Sequence, residues 1–182
     1  MASFSTSLSV TRFTKNNTME LYPIFKLIHI LATIIFLGNI YTGLFWMNRA
    51  HKTRNLSIIN HTMKNLILSD RYFTMPGVIV ILISGVGAAL QNHLPLLRMG
   101  WIFWSIVLFS ISGIVFGWKL APLQRKIYNF TTSGLDESTF DWKRYQRMYT
   151  EWDIWGLVAI LTPLGALTMM VLKLPALSIL AK

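Results

Sequence analysis

IFKLIHILATIIFLGNIYTGLFWM, residues 24–47, is the stretch that decides the fold. Lys26 near its start is its only full charge, and its length exceeds the ~20 apolar residues that cross about 30 Å of hydrocarbon at 1.5 Å per residue. Three further stretches repeat the pattern, at Phe73–Leu90, Trp101–Leu120 and Trp152–Leu172. Continuous apolar runs without period-two alternation must satisfy their own backbone in lipid, which requires helices rather than strands. With 53% hydrophobic and 13% charged residues and a mean hydropathy of +0.49, the chain is far too apolar for a soluble domain. The fold class expected is all-α: a four-helix transmembrane bundle occupying residues 21–175, with the lipid bilayer as its surroundings.

Charge sets the expected orientation. Arg49, Lys52, Arg54, Lys64 and Arg71 fall between the first two spans, and Lys119, Arg125, Lys126, Lys143, Arg144 and Arg147 between the last two. The segment between spans two and three carries Arg98 alone, and the ends carry only Arg12, Lys15 and Lys26, then Lys173 and Lys182. The positive-inside rule therefore places both long connections in the cytoplasm and both termini outside. The net charge of +10 is then explained by a basic membrane face that attracts anionic lipid, and no nucleic-acid partner is implied.

The first connection predicts a helix, because Leu56, Ile59, Met63, Leu66 and Ile67 recur at three- and four-residue spacing. This amphipathic helix either lies on the cytoplasmic surface or extends the second span inward, with Asp70 and Arg71 where it meets the membrane. The second connection, 128–151, reads differently. Thr131–Gly134 is turn-like, acidic charge gathers between Asp136 and Asp141, and Trp142–Trp155 looks like an interfacial helix start. Residues 1–20 read as a flexible tail, with a transit-like segment or a true start at Met19 left open, and 176–182 as a short tail. Four Asn-X-Ser/Thr triplets, at Asn16, Asn55, Asn60 and Asn129, lie mostly in segments placed inside and carry no weight.

Small residues mark expected helix contacts: Gly38 with Thr42, Gly85 with Ala89, and the GxxxG pair Gly113 and Gly117. Packing within the chain is the plain reading, and self-association the other. Pro163 should kink the fourth span. Tryptophans at the span ends form the aromatic belt of a membrane protein.

Candidate chemistry is sparse. The absence of cysteine excludes disulfides, thiolate metal sites and cysteine nucleophiles. No Walker loop, GxGxxG, HExxH or Ser/His/Asp set is present, so no catalytic residue is named. Asp70, Arg71 and Asp153, with Glu151, read either as an ion-paired cluster at the cytoplasmic face or as charges anchoring helix ends. His51 and His61 belong to the basic region and read as solvated. His29 stands apart, since an imidazole inside hydrocarbon needs a partner or a ligand. His93 and Met170 come to the same side of the membrane, and haem iron accepts His/His or His/Met pairs. His29 is thus a candidate haem-iron ligand with His93 or Met170 opposite; a hydrogen bond to a neighbouring helix is the alternative.

Lys26-Leu27-Ile28-His29, Leu37-Gly38, Asp70-Arg71-Tyr72-Phe73-Thr74-Met75-Pro76-Gly77, Gly100-Trp101 and Pro122-Leu123-Gln124-Arg125 resemble an uncharacterised family of four-helix bacterial integral membrane proteins. The resemblance runs from Leu21 to Lys173 and implies fold and a bacterial inner membrane more than function. More distantly, His29 and the helix around it are similar to the first helix of HemJ-type protoporphyrinogen oxidases and of CopD-like membrane domains. In the HemJ type the corresponding histidine binds haem b, and the resemblance implies that role for His29. The arginine-rich exit of that helix is echoed here only by Arg49 and His51. Two readings follow: a haem-b-binding redox protein, or a non-catalytic membrane subunit that binds a partner, or its own copy, through small-residue helix faces.

Overall fold

The computed structural model describes residues 21–96, 99–135 and 139–173. The two expected tails, 1–20 and 176–182, and Asp136 and Glu137 of the acidic stretch lie outside the described residues. Every regular element among the described residues is helical. In order these are α1 (Leu21–Lys52), α2 (Leu56–Ser69), a π-helical turn (Asp70–Thr74), α3 (Met75–Gln91), α4 (Gly100–Val115), a second π turn (Phe116–Leu120), α5 (Ala121–Gly134) and α6 (Trp142–Leu172). The π turns do not break the chain's path, so four helices emerge, at Leu21–Lys52, Leu56–Gln91, Gly100–Gly134 and Trp142–Leu172, each long and apolar enough to cross a membrane.

These helices run 31 to 36 residues, well beyond the ~20 that a bilayer needs. The surplus gathers at one end, where α2, α5, the last turns of α1 and the first turns of α6 extend the bundle. Of the two placements open for the amphipathic helix, the structure shows the extension of the second span. The turn read at Thr131–Gly134 is instead the last turn of α5. Its hydroxyls do not break the helix because they bond back into it: Thr131 Oγ1 donates to the Ile127 carbonyl at 2.9 Å and Thr132 Oγ1 to that of Tyr128 at 2.8 Å. Side-chain caps start two helices, Asn55 Oδ1 accepting from Ile58 N–H at 3.2 Å and Asp141 Oδ1 from Arg144 N–H at 2.9 Å.

The main hydrophobic core lies in this extension. Met47 and Ala50 of α1, Ile59, Met63 and Leu66 of α2, Leu123 and Ile127 of α5 and Tyr145, Tyr149 and Trp152 of α6 are all buried in one cluster. Physics puts it there: burying a large apolar side chain away from water stabilises by about 1.5–3 kcal/mol, whereas lipid tails offer no such gain. Towards the other end the bundle resolves into two hairpins, α1 along α3 and α4 along α6. A small cluster of Ala32, Phe36 and Ile81 holds the first.

Prolines shape three of the helices. Pro76 and Pro122 each sit second in α3 and α5, where the ring would crowd the carbonyl four residues back. Each is preceded by a π turn in which the bond spans five residues, Met75 N–H to the Asp70 carbonyl and Ala121 N–H to that of Phe116. The wider turn absorbs the ring without ending the helix. Pro163 instead lies inside α6, which stays helical through it. Its missing N–H leaves the Ala159 carbonyl free, and Ser112 of α4 donates to that oxygen at 2.7 Å. Ser105, two turns away on α4, donates to the Ala166 carbonyl at 3.1 Å. The two serines tie α4 to α6 at the point where α6 lacks a bond of its own.

Candidate functional site

Two places in the bundle hold polar chemistry beyond what packing requires. The first is His29. Its Nδ1 lies 2.9 Å from the Ile81 carbonyl of α3, with Ser84 Oγ at 3.4 Å. A carbonyl oxygen only accepts, so Nδ1 carries the proton and the lone pair of the neutral ring is on Nε2. The ring can approach α3 this closely because residue 85 is glycine. A Cβ there would stand 2.9 Å from His29 Cε1 and 3.1 Å from Nδ1. Among the described residues Nε2 has no hydrogen-bond partner.

His93 and Met170 lie towards the same end of the bundle as His29, and neither is hydrogen-bonded to it. His93 is exposed in the turn after α3, with a left-handed backbone (φ 52°), and lies eight residues past Gly85, about 12 Å along a helix axis. Met170 is half-buried on α6, in the other hairpin. His29 therefore uses the hydrogen bond that the sequence left as its alternative, and that bond leaves the ring's lone pair unused.

The second place is Asp70, in the first π turn. The ion-paired reading of Asp70, Arg71 and Asp153 finds no ion pair among the described residues: Asp70 is 9% exposed, Arg71 points to the surface, and Asp153 lies half-buried on α6, one turn beyond Tyr149. Consecutive residues of a helical turn point in different directions, and here Asp70 faces inward while Arg71 stays out. Neutral donors replace the expected cation. Thr74 Oγ1 donates to Asp70 Oδ1 at 2.7 Å, Asn39 Nδ2 to the same oxygen at 3.2 Å, and Gln124 Nε2 to Oδ2 at 2.9 Å. Asn39 Nδ2 also reaches Thr74 Oγ1 at 2.9 Å, and Ser69 donates to Asn39 Oδ1. Three of the four long helices thus converge on one carboxylate.

This network forms one end of a cavity of about 180 Å³ between the two hairpins. Its apolar walls include Phe36, Phe109, Phe116 and Trp152. Trp152 is 2% exposed, and its indole Nε1 is the single buried side-chain polar atom among the described residues without a partner. Both π turns line the cavity; the first lies within the Asp70–Gly77 segment that carries the family resemblance, and the second ends just before the Pro122–Arg125 one. The sequence names Gln124 only within a motif of the family resemblance and Trp152 only as part of the aromatic belt, and gives neither a place in a site. The signal that could have found Gln124 is its place two residues after a proline at a span end.

The expected glycine contacts divide. Gly85 meets His29, but no atom comes within 4 Å of a Cβ placed at Gly38, Gly113 or Gly117. Gly38 lies on an exposed face, while Gly113 and Gly117 border the cavity between the hairpins, so none of the three packs a helix of this chain, and the close approach of α1 to α6 instead uses Gly156, where Leu44 would stand 2.7 Å from a Cβ. At the other end of the bundle, beyond the apolar stretch of α1, His51 stacks on Tyr149 with ring centroids 3.8 Å apart and planes at 4°. Its Nδ1 lies 3.2 Å from Tyr145 Oη. Burial, followed by the nearby Arg54, pushes the imidazole below its ordinary range. His51 is thus a packed residue rather than the solvated one expected.

Neither a curated protein nor a solved structure matches the chain. A family model does, described as predicted integral membrane protein (DUF2269) and matching residues 23–174. The four long apolar helices, the continuous α1 around His29 and the Asp70 turn all fall within that match, and the chain belongs to this family of integral membrane proteins.

Proposed function

We propose that this chain is a haem-b-binding redox protein of the bacterial inner membrane, multi-pass, with both termini outside and both charged connections in the cytoplasm, and with His29 as an axial ligand through Nε2. The observation that carries the reading is the hydrogen bond from His29 Nδ1 to the Ile81 carbonyl. Metal-ligating histidines donate their other ring N–H to a carbonyl or carboxylate, which fixes the tautomer and aims the free lone pair. Haem b, when bound, supplies one-electron transfer. The chain's own contribution is orientation: Ile81 holds the ring's proton, Gly85 lets the ring lie against α3, and the surrounding aliphatic side chains keep water away. His93 and Met170, at the same end of the bundle, are the proposed sources of the opposite ligand.

The test is an absorbance spectrum, oxidised and dithionite-reduced, of protein purified in detergent from haem-supplied cells. A Soret band lost in His29→Ala supports the proposal, and His93→Ala and Met170→Ala then identify the opposite ligand by which one shifts the reduced band. A folded, colourless preparation refutes it. A second reading is favoured by the open space at Gly38, Gly113 and Gly117: a non-catalytic subunit that binds a membrane partner or its own copy through those faces. Stoichiometric co-purification of a membrane partner, or a homo-oligomer disrupted by Gly113→Leu, supports that reading, and a lone monomer in mild detergent counts against it.

A further inference from the structure

We infer that the cavity between the two hairpins is a binding site for a small organic cation, an amine with a short apolar body. The inference stands apart from the haem proposal and uses none of its residues.

Size sets the first limit. A cavity of about 180 Å³ is slightly larger than an engineered ~150 Å³ protein cavity that admits benzene. A ligand of roughly six to ten heavy atoms fits that scale.

Charge sets the second. Asp70 is the one carboxylate that lines the cavity, and all three donors to it are neutral groups on Asn39, Thr74 and Gln124. Thr74 Oγ1 itself accepts from Asn39, which commits its proton to Asp70. Both carboxylate oxygens therefore lie among donors, with no cation of the chain beside them. No basic side chain lines the cavity. Arg71 faces outward, and the Lys119 ammonium lies over the Trp155 ring at 5.7 Å from its centroid. A buried carboxyl without a basic partner from its own chain favours a cation arriving from outside, which would bring the group to its ionised form.

The walls decide which cation. A metal ion of the calcium or magnesium type needs about six oxygen ligands. Here most oxygens are already engaged: Asp70 accepts three bonds of the roughly four a carboxylate can take, Asn39 Oδ1 takes the Ser69 hydroxyl, and the Ser112 hydroxyl is given to the Ala159 carbonyl. One position on Asp70 is left, enough for a single N–H but not for a metal shell. The rest of the lining includes aromatic surface from Phe36, Phe109, Phe116 and Trp152, which suits an ammonium with an apolar body.

The test uses the full chain in nanodiscs and two probes, phenethylamine and the neutral isostere 2-phenylethanol, followed by isothermal titration. The expected result is saturable binding of the amine, at least tenfold tighter than the alcohol. Asp70→Asn should remove the preference for the amine. Equal uptake of amine and alcohol, or uptake that never saturates, overturns the proposal as simple partition into lipid. Competition by millimolar sodium or calcium without amine binding overturns it in favour of a metal site. Should Asp70→Asn fail to fold, the amine against alcohol comparison on the unaltered chain still decides.

Discussion

Gly85→Ala tests whether His29 is held as tightly as its surroundings imply. The new Cβ would stand 2.9 Å from His29 Cε1 and 3.1 Å from Nδ1, whereas carbon contacts are comfortable at about 3.5–4.0 Å. The ring must therefore retreat by roughly 0.5–1 Å. The Nδ1 to Ile81 distance of 2.9 Å would then stretch beyond the ~3.2 Å limit of a good bond. An interhelical hydrogen bond in a membrane is worth about 0.6–1.7 kcal/mol, and overpacking adds about 1–3 kcal/mol. Alanine returns up to ~1 kcal/mol through its better helix propensity. The net loss expected in the natural background is about 1–4 kcal/mol. In a His29→Ala background the clash and the bond are both absent, only the propensity gain survives, and Gly85→Ala should be neutral or slightly stabilising. Unfolding in mixed dodecylmaltoside and SDS micelles, followed by circular dichroism, measures all four corners of the cycle. Additivity within ~0.5 kcal/mol would refute the reasoning, because it would mean that the imidazole does not press on α3.

Ser112→Ala should cost about 1–2 kcal/mol in the same assay by stranding the Ala159 carbonyl, and almost nothing when Pro163→Ala restores that carbonyl's own helical partner. Ile59→Ala, at a residue with 0% exposure in the aqueous extension, should cost about 2–4 kcal/mol, while Ile34→Ala, 62% exposed on the lipid face, should stay within about 0.5 kcal/mol. His51 titrates below the unfolded value in the folded chain, so the unfolded state binds more protons as pH falls. Its contribution is full above the unfolded pKa and fades below it; lowering the pH from 7 to 5 should ease unfolding, and His51→Phe, which keeps the stack on Tyr149, should flatten that dependence.

Apolar periodicity made the four spans and the amphipathic α2 legible, because those features depend on side chains close together in the chain. Helix ends were less legible. Thr131–Gly134 has the composition of a turn, yet hydroxyls that bond back to Ile127 and Tyr128 let α5 continue, and composition does not report that choice. The π turns were invisible for a related reason. Pro76 and Pro122 marked positions where a helix is stressed, but whether the chain kinks, stops or widens depends on what the neighbouring helices supply. His29 was singled out by its chemistry alone, and its hydrogen bond was foreseen as one of two outcomes. Gly38, Gly113 and Gly117 misled because a small residue permits close approach without compelling it, whereas Gly85, Gly87 and Gly156 do have a side chain pressed against them.

Polar groups inside a membrane bundle are costly, so each should have a reason, and most here have a structural one. Thr33, Thr42, Ser105, Thr162 and Thr168 bond to carbonyls one turn back in their own helices, and Ser112 completes a carbonyl that proline left bare. These would be present in any stable bundle of this design. Three features have no such account: the lone pair on His29 Nε2, the carboxyl of Asp70, and the N–H of Trp152. They do not form one site, since His29 bonds to α3 within the first hairpin while Asp70 and Trp152 line the cavity between the two. A stable fold needs none of the three. Asp70 in particular could be replaced by asparagine with its Gln124 and Thr74 neighbours still bonded, at lower desolvation cost. That the chain carries a carboxylate there, in a turn widened on both sides of the cavity, argues that the space is built around a charge it is meant to meet.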